Sequence, residues 1–130
     1  KKIRKKYNQS EERKKDRRLW EKNRFDSIPE YRLIKSARAR LRKFLKSKNI
    51  TKRNETFKIV GCSPKFLKEH LEKQFKPGMN WQNHTNKGWH VDHIVPLSSA
   101  KKIDEIERLM HYTNLQPLWA EDNLKKSNKI

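Results

Sequence analysis

Apolar residues recur at threes and fours through several stretches of this chain and crowd into two short runs near its end. The first helix is predicted over about 11–24, with Ser10 as its cap and Glu11 and Glu12 in the first turn. It carries Leu19 and Trp20 but little other apolar surface, so alone it is marginal. A second helix begins at Pro29, a favoured first-turn residue, and runs to about 48. Its stripe is Ile34, Ala37, Leu41, Phe44 and Leu45, with Arg38, Arg40, Arg42 and Lys43 mostly away from it. Thr56 to Val60 reads as a short helical turn ended by Gly61. Ser63-Pro64 restarts a helix with Phe66, Leu67, His70, Leu71, Gln74 and Phe75 on its amphipathic face, closed by Pro77-Gly78. On that face, His70 is read as a packed or half-exposed side chain rather than a ligand, and Cys62 as a small buried hydrophobe.

The pattern changes period after Gly88. Residues 89–96, Trp-His-Val-Asp-His-Ile-Val-Pro, predict a strand closed by proline. Ile103, Ile106, Leu109 and Met110 then mark a helical connection. A second strand is predicted at 113–118, and a last helix from about Ala120. Glu121 and Asp122 open that helix and Lys125 and Lys126 come later, matching the dipole at both ends. The expected fold class is therefore α+β: a basic helical region followed by a small ββα unit. Trp81, Trp89 and Trp119 are its candidate core, while His84 and His111 receive no role.

Composition narrows the function. Hydrophobic residues are 32% and charged residues 38% of the 130, so part of the chain must stay outside any core. The net charge of +19 points to a polyanionic partner. Residues 1–60 hold 23 Lys/Arg against 7 Asp/Glu, and residues 61–130 hold 11 against 8. The expected division is a basic helical DNA-binding region over 1–60 and a mixed-charge domain over 61–130. A run of cations on a helix can simply be a solvated face; the excess in this half favours phosphate contact. One cysteine excludes a disulfide framework and a cysteine-based zinc site. No apolar run reaches membrane-spanning length, and no signal-peptide pattern is seen. The chain starts at Lys1 rather than Met, which leaves open that it is a fragment.

Asp92-His93-Ile94-Val95-Pro96, then Asn114-Leu115-Gln116-Pro117-Leu118, then Asn123 together resemble the HNH endonuclease motif. More narrowly they resemble its His-Asn-Asn variant in phage and intron-encoded homing endonucleases, over about residues 88–128. The resemblance implies a small ββα-metal nuclease unit over 61–130. It implies His93 as the general base that deprotonates a water attacking the phosphate. Asp92 and Asn123 would hold one divalent metal, Mg²⁺ first, with Mn²⁺ able to substitute. Asn114 would tie the loop between the strands so that His93 is aimed. Two departures stand out: Asn123 occupies a position where histidine is commoner, and the flanking zinc-binding cysteine pairs are absent.

The chemistry is coherent apart from the name. An imidazole of ordinary pKa, about 6.5, suits a base at neutral pH. A hard cation among carboxylate, amide and phosphate oxygens neutralises developing charge. Neighbouring strand residues point to opposite faces, so Asp92 and His93 are expected to need a bend or bulge to share one cleft. Arg38, Arg40, Arg42, Lys43, His90, Lys125 and Lys126 are the expected DNA contacts, with His90 also on the strand face of Asp92. The expected partner is double-stranded DNA, with no membrane, no small-molecule cofactor and an open choice of monomer or dimer. The expected compartment is the cytoplasm of a bacterial or phage-infected cell. Each site residue also has a plainer reading: Asp92-His93 as a surface pair, Asn114 as a turn residue, Asn123 as a helix cap. The alternative function is a non-catalytic module binding DNA or structured RNA on the same ββα fold.

Overall fold

A computed structural model of the chain describes residues 10–127; the first nine residues of the basic 1–60 region and residues 128–130 lie outside them. The chain is α+β, with helices around one small sheet. Helix α1 (Glu11–Ser27) is capped by Ser10 Oγ, which accepts from the Arg13 amide at 3.2 Å. It buries none of its residues. It runs three residues past the expected end and stops where Ile28 turns extended (φ −119°, ψ 104°), as a residue before proline prefers.

Helix α2 (Pro29–Ser47) is the spine of the fold. Leu33, Leu41 and Leu45 are buried on it, whereas Ile34, Ala37 and Phe44 are only half-buried. The stripe is thus centred on Leu33 rather than Ile34, one residue away from the expected line. Arg32 is buried too, because its guanidinium donates to three backbone carbonyls: Phe25 (3.1 Å), Trp81 (3.3 Å) and His84 (2.6 Å). A buried cation with such partners splints α1, α2 and the segment before the sheet together.

Short helix α3 (Thr56–Val60) ends at Gly61, whose φ of 81° favours glycine and where a Cβ would strike the His111 ring. Helix α4 (Pro64–Glu72) is capped by Ser63 Oγ and buries Leu67 and Leu71. Strand β1 (Trp89–His93) pairs antiparallel with β2 (Leu115–Trp119), from Trp89 opposite Trp119 to His93 opposite Leu115. Both strands are shorter than expected, since a 3₁₀ turn occupies Tyr112–Asn114 and the chain leaves the sheet after His93. Between them lies α5 (Ile103–Leu109), and α6 (Ala120–Lys126) follows β2 and packs on both strands.

Two apolar clusters hold these elements. One joins Leu41 and Leu45 to Ile59, Leu97, Ala100, Ile106 and Met110; the other joins Leu33 to Val60, Leu67, Leu71 and Leu115. Both draw on α2, so packing does not divide at residue 60: the basic region supplies Leu41, Leu45 and Ile59 to the first interior and Leu33 and Val60 to the second. Cys62 is half-buried against the second cluster, as a small hydrophobe would be, and burial pushes its thiol pKa up. Trp89 is fully buried, with its indole nitrogen donating to Asn80 O at 2.7 Å, and Phe75, Trp81 and His84 surround its ring. Trp81 and Trp119 are half-buried. Among the described residues, no helix is long and apolar enough to cross a membrane.

Candidate active site

The outer edge of β1 pairs with no strand among the described residues. Along that edge, between α2 and α6, runs a cleft of about 600 Å³. Arg40 and Lys43 line it from α2, Asp92 and His93 from β1, and Asn123 and Lys126 from α6. The pairing of residues 89–93 with 119–115 is unbroken and the chain bends only after it, at Ile94 and Val95, so of the expected bend or bulge, a bulge between Asp92 and His93 is absent. It is not needed. Asp92 and His90 face α6, through Lys126 and Asn123, while Val91 and His93 face α2 and the interior. A cleft running along a free edge collects side chains from both faces.

Asp92 is a buried carboxylate, 8% exposed. Its Oδ2 accepts from Gln116 Nε2 at 2.9 Å and pairs with the Lys126 ammonium at 3.4 Å. Gln116 stands directly opposite Asp92 in the sheet register. A buried charge needs such partners, since unpaired it would cost several kcal/mol by estimates of about 3–5. Lys126 also donates to the His93 carbonyl at 3.0 Å, so one ammonium spans two neighbouring β1 residues.

His93 is 5% exposed, and its Nε2 is buried with no hydrogen-bond partner. Its ring also borders a small cavity lined by Leu33, Val60, Leu67, Met110 and Leu115. That burial, with Arg40 and Lys126 nearby, lowers its pKa to about 3. The expectation of an ordinary imidazole is therefore corrected: His93 is neutral at physiological pH, able to accept a proton but weakly basic. A phosphate in the cleft would offset Arg40 and Lys126 and make the ring more basic.

Asn114 is tied in by its whole amide. Its Oδ1 accepts from the Val95 amide (2.9 Å), and its Nδ2 donates to the carbonyls of Val95 (3.0 Å) and Leu109 (2.8 Å). Its own carbonyl accepts from the Ile94 amide at 2.8 Å. The loop leaving His93 is thereby clamped to the start of β2. Asn123 is half-buried, its Nδ2 at 3.1 Å from His90 Nδ1.

The chain is 30% identical over 112 residues to an uncharacterized protein of Acanthamoeba polyphaga mimivirus. That alignment covers 85% of this chain and 48% of the viral protein, so the chain spans about half the length of that relative. No family model and no solved structure matches the chain.

The expected DNA contacts divide by position. Arg40, Lys43 and Lys126 line the cleft, and His90 lies with Arg40 in a neighbouring hollow. Arg38 and Arg42 are exposed on α2 outside the cleft lining. Lys125 is turned to solvent beside Glu121, at 3.8 Å. Two partners of the site escaped the sequence reading: Gln116, whose clue was its place opposite Asp92, and Lys126 as the counterion of Asp92. His84, given no role, stacks on Trp89 at 4.1 Å and has a buried, unpartnered Nδ1. Burial first, then Arg32 and His90, lower its pKa to about 4.

These two imidazoles make stability depend on pH. Their folded pKa values lie below the unfolded value of about 6.5, so the unfolded chain binds more protons between about pH 3 and 6.5. Stability should be full above pH ~7 and fall with acidification by up to about 1.4 kcal/mol per pH unit per histidine. Urea denaturation from pH 7.5 to 5 measures this. His84→Phe, which keeps a ring on Trp89, should remove part of the slope; a flat native profile would mean that both rings are solvated.

Proposed function

We propose that the chain is a metal-dependent endonuclease of the HNH type, its β1, β2 and α6 forming the ββα unit, which hydrolyses phosphodiester bonds in double-stranded DNA. The observation that carries this reading is one cleft that brings Asp92, His93 and Asn123 together under the cations of α2. Asn114 supports it by clamping the loop that follows His93.

In this mechanism Arg40, Lys43 and Lys126 draw a phosphate into the cleft and hold its charge. His93 Nε2, neutral and unpartnered, takes the proton of the attacking water. An orphaned buried nitrogen costs on the order of 1–3 kcal/mol, and a proton-transfer role accounts for its retention. Asp92 and Asn123 would hold the divalent ion, and the donor set fits a hard one bound weakly. It comprises one carboxylate and one amide oxygen, and among the described residues no group of three or more His, Cys, Asp or Glu could hold a metal. A divalent cation bound there would supply charge neutralisation at the phosphate and the leaving 3′ oxygen. Lys126 must yield Asp92 for such an ion to bind, so the free chain should hold it weakly and substrate phosphate oxygens should tighten it.

The test is supercoiled plasmid incubated with the chain in Mg²⁺, Mn²⁺ or EDTA, with duplex binding measured against salt. Cleavage should need the divalent ion. If about six phosphates are neutralised, log K should fall with log salt at a slope of roughly −5. Binding without cleavage in either ion would leave a non-catalytic nucleic-acid module as the reading. Preference for structured RNA over duplex DNA would remove the assigned substrate.

A further inference from the structure

The arrangement around His90 contains more than a side chain near a cleft. Its Nε2 is 3.0 Å from the Asn86 carbonyl oxygen and its Nδ1 is 3.1 Å from Asn123 Nδ2. A carbonyl oxygen only accepts, so Nε2 must carry the proton of the neutral ring. Nδ1 is then an acceptor, and the Asn123 atom facing it must be the NH₂ group. The amide oxygen is forced to the opposite side. For the neutral ring, that orientation follows from the two contacts together.

We infer that His90 is a positioning residue which fixes the Asn123 amide with its oxygen toward the cleft, as a ligand for a hard divalent cation. The inference rests on the metal-site reading above. A free asparagine amide presents oxygen or NH₂ with similar ease, and only the oxygen can bind a cation. The chain Asn86 C=O, His90, Asn123 therefore removes the wrong orientation before any ion arrives. Partners of this kind, one step behind a ligand, typically change metal affinity by about 10- to 100-fold when lost. His90 also has the right place: it is two residues before Asp92 on the strand face that meets α6, so one face carries both a ligand and the splint of the other.

The experiment uses the full chain and Mn²⁺ alone, with free ion followed by paramagnetic resonance, and ¹⁵N NMR of the histidine rings. NMR on the native chain should show His90 protonated at Nε2 and not at Nδ1; the reverse tautomer overturns the inference with no variant involved. His90→Leu should weaken Mn²⁺ binding about tenfold. His90→Asn, whose side-chain oxygen can accept where Nδ1 did, should stay near native affinity. In an Asn123→Asp background both ligand oxygens are equivalent, so His90→Leu should have little effect there. An equal loss in both backgrounds would mean that His90 only supports the fold, and would overturn its assignment. Should Asp92→Asn abolish Mn²⁺ binding while His90→Leu leaves it intact, the metal site stands and the role of His90 falls. If Mn²⁺ fails to bind the native chain, the metal reading and this inference fall together.

Discussion

Cleavage by His93→Ala should be lower than native by about 10²–10⁴-fold, the usual cost of losing a general base, while DNA affinity stays nearly unchanged. The separation is expected because the proposed mechanism gives proton transfer and phosphate binding to different side chains. Arg40 and Lys43 stand on α2, and the link from Lys126 to residue 93 is to a backbone carbonyl, which alanine retains. The Nε2 of His93 has no hydrogen-bond partner to lose. Removing the ring does open space beside Leu33, Val60 and Leu67, so some stability goes with it. Circular dichroism and a duplex-binding isotherm on the same preparation separate that effect from chemistry. A folded, DNA-binding variant that cuts at the native rate would exclude His93 as the base.

Deleting residues 1–50 should unfold the chain, whereas deleting residues 1–27 should not. The first deletion removes Leu33, Leu41 and Leu45 from the two clusters that hold β1, β2, α4 and α5. Truncating one such leucine costs about 2–5 kcal/mol, and a whole domain is stable by only about 5–15. Losing three, with their helix, exceeds that margin. The second deletion removes α1, which buries none of its residues, and the contact of Arg32 with the Phe25 carbonyl. It also takes away 12 Lys/Arg against 5 Asp/Glu. Chain 28–130 should therefore remain folded but bind duplex DNA with a shallower salt slope, since fewer counterions are released. Thermal denaturation of both fragments, followed by binding at several salt concentrations, checks each half of this. A folded 51–130 fragment would show that α2 is dispensable to the interior. Full-length affinity and slope in 28–130 would show that α1 takes no part in binding.

Much of this architecture was legible in residue order because it depends on local chemistry. Ser10 and Ser63 cap helices by reaching their own next turn, and Gly61 ends one by adopting a left-handed backbone. The spacing of Asp92, His93, Asn114 and Asn123 was likewise readable, as was the charge excess of the first half. What each of those residues meets was not. Whether His93 titrates near 6.5 or about 3 depends on Leu33, Val60, Arg40 and Lys126, which are far away in sequence. That Asp92 and His93 reach one cleft without a bulge depends on β1 having a free edge, a property of the sheet rather than of the strand. Lys126 was readable as a cation, but only the packing of α6 on β1 makes it the counterion of Asp92. The division at residue 60 was drawn from charge, and charge is a surface property. The boundary of a folded unit is set by which apolar side chains share an interior, and Leu33, Leu41 and Leu45 place α2 inside it.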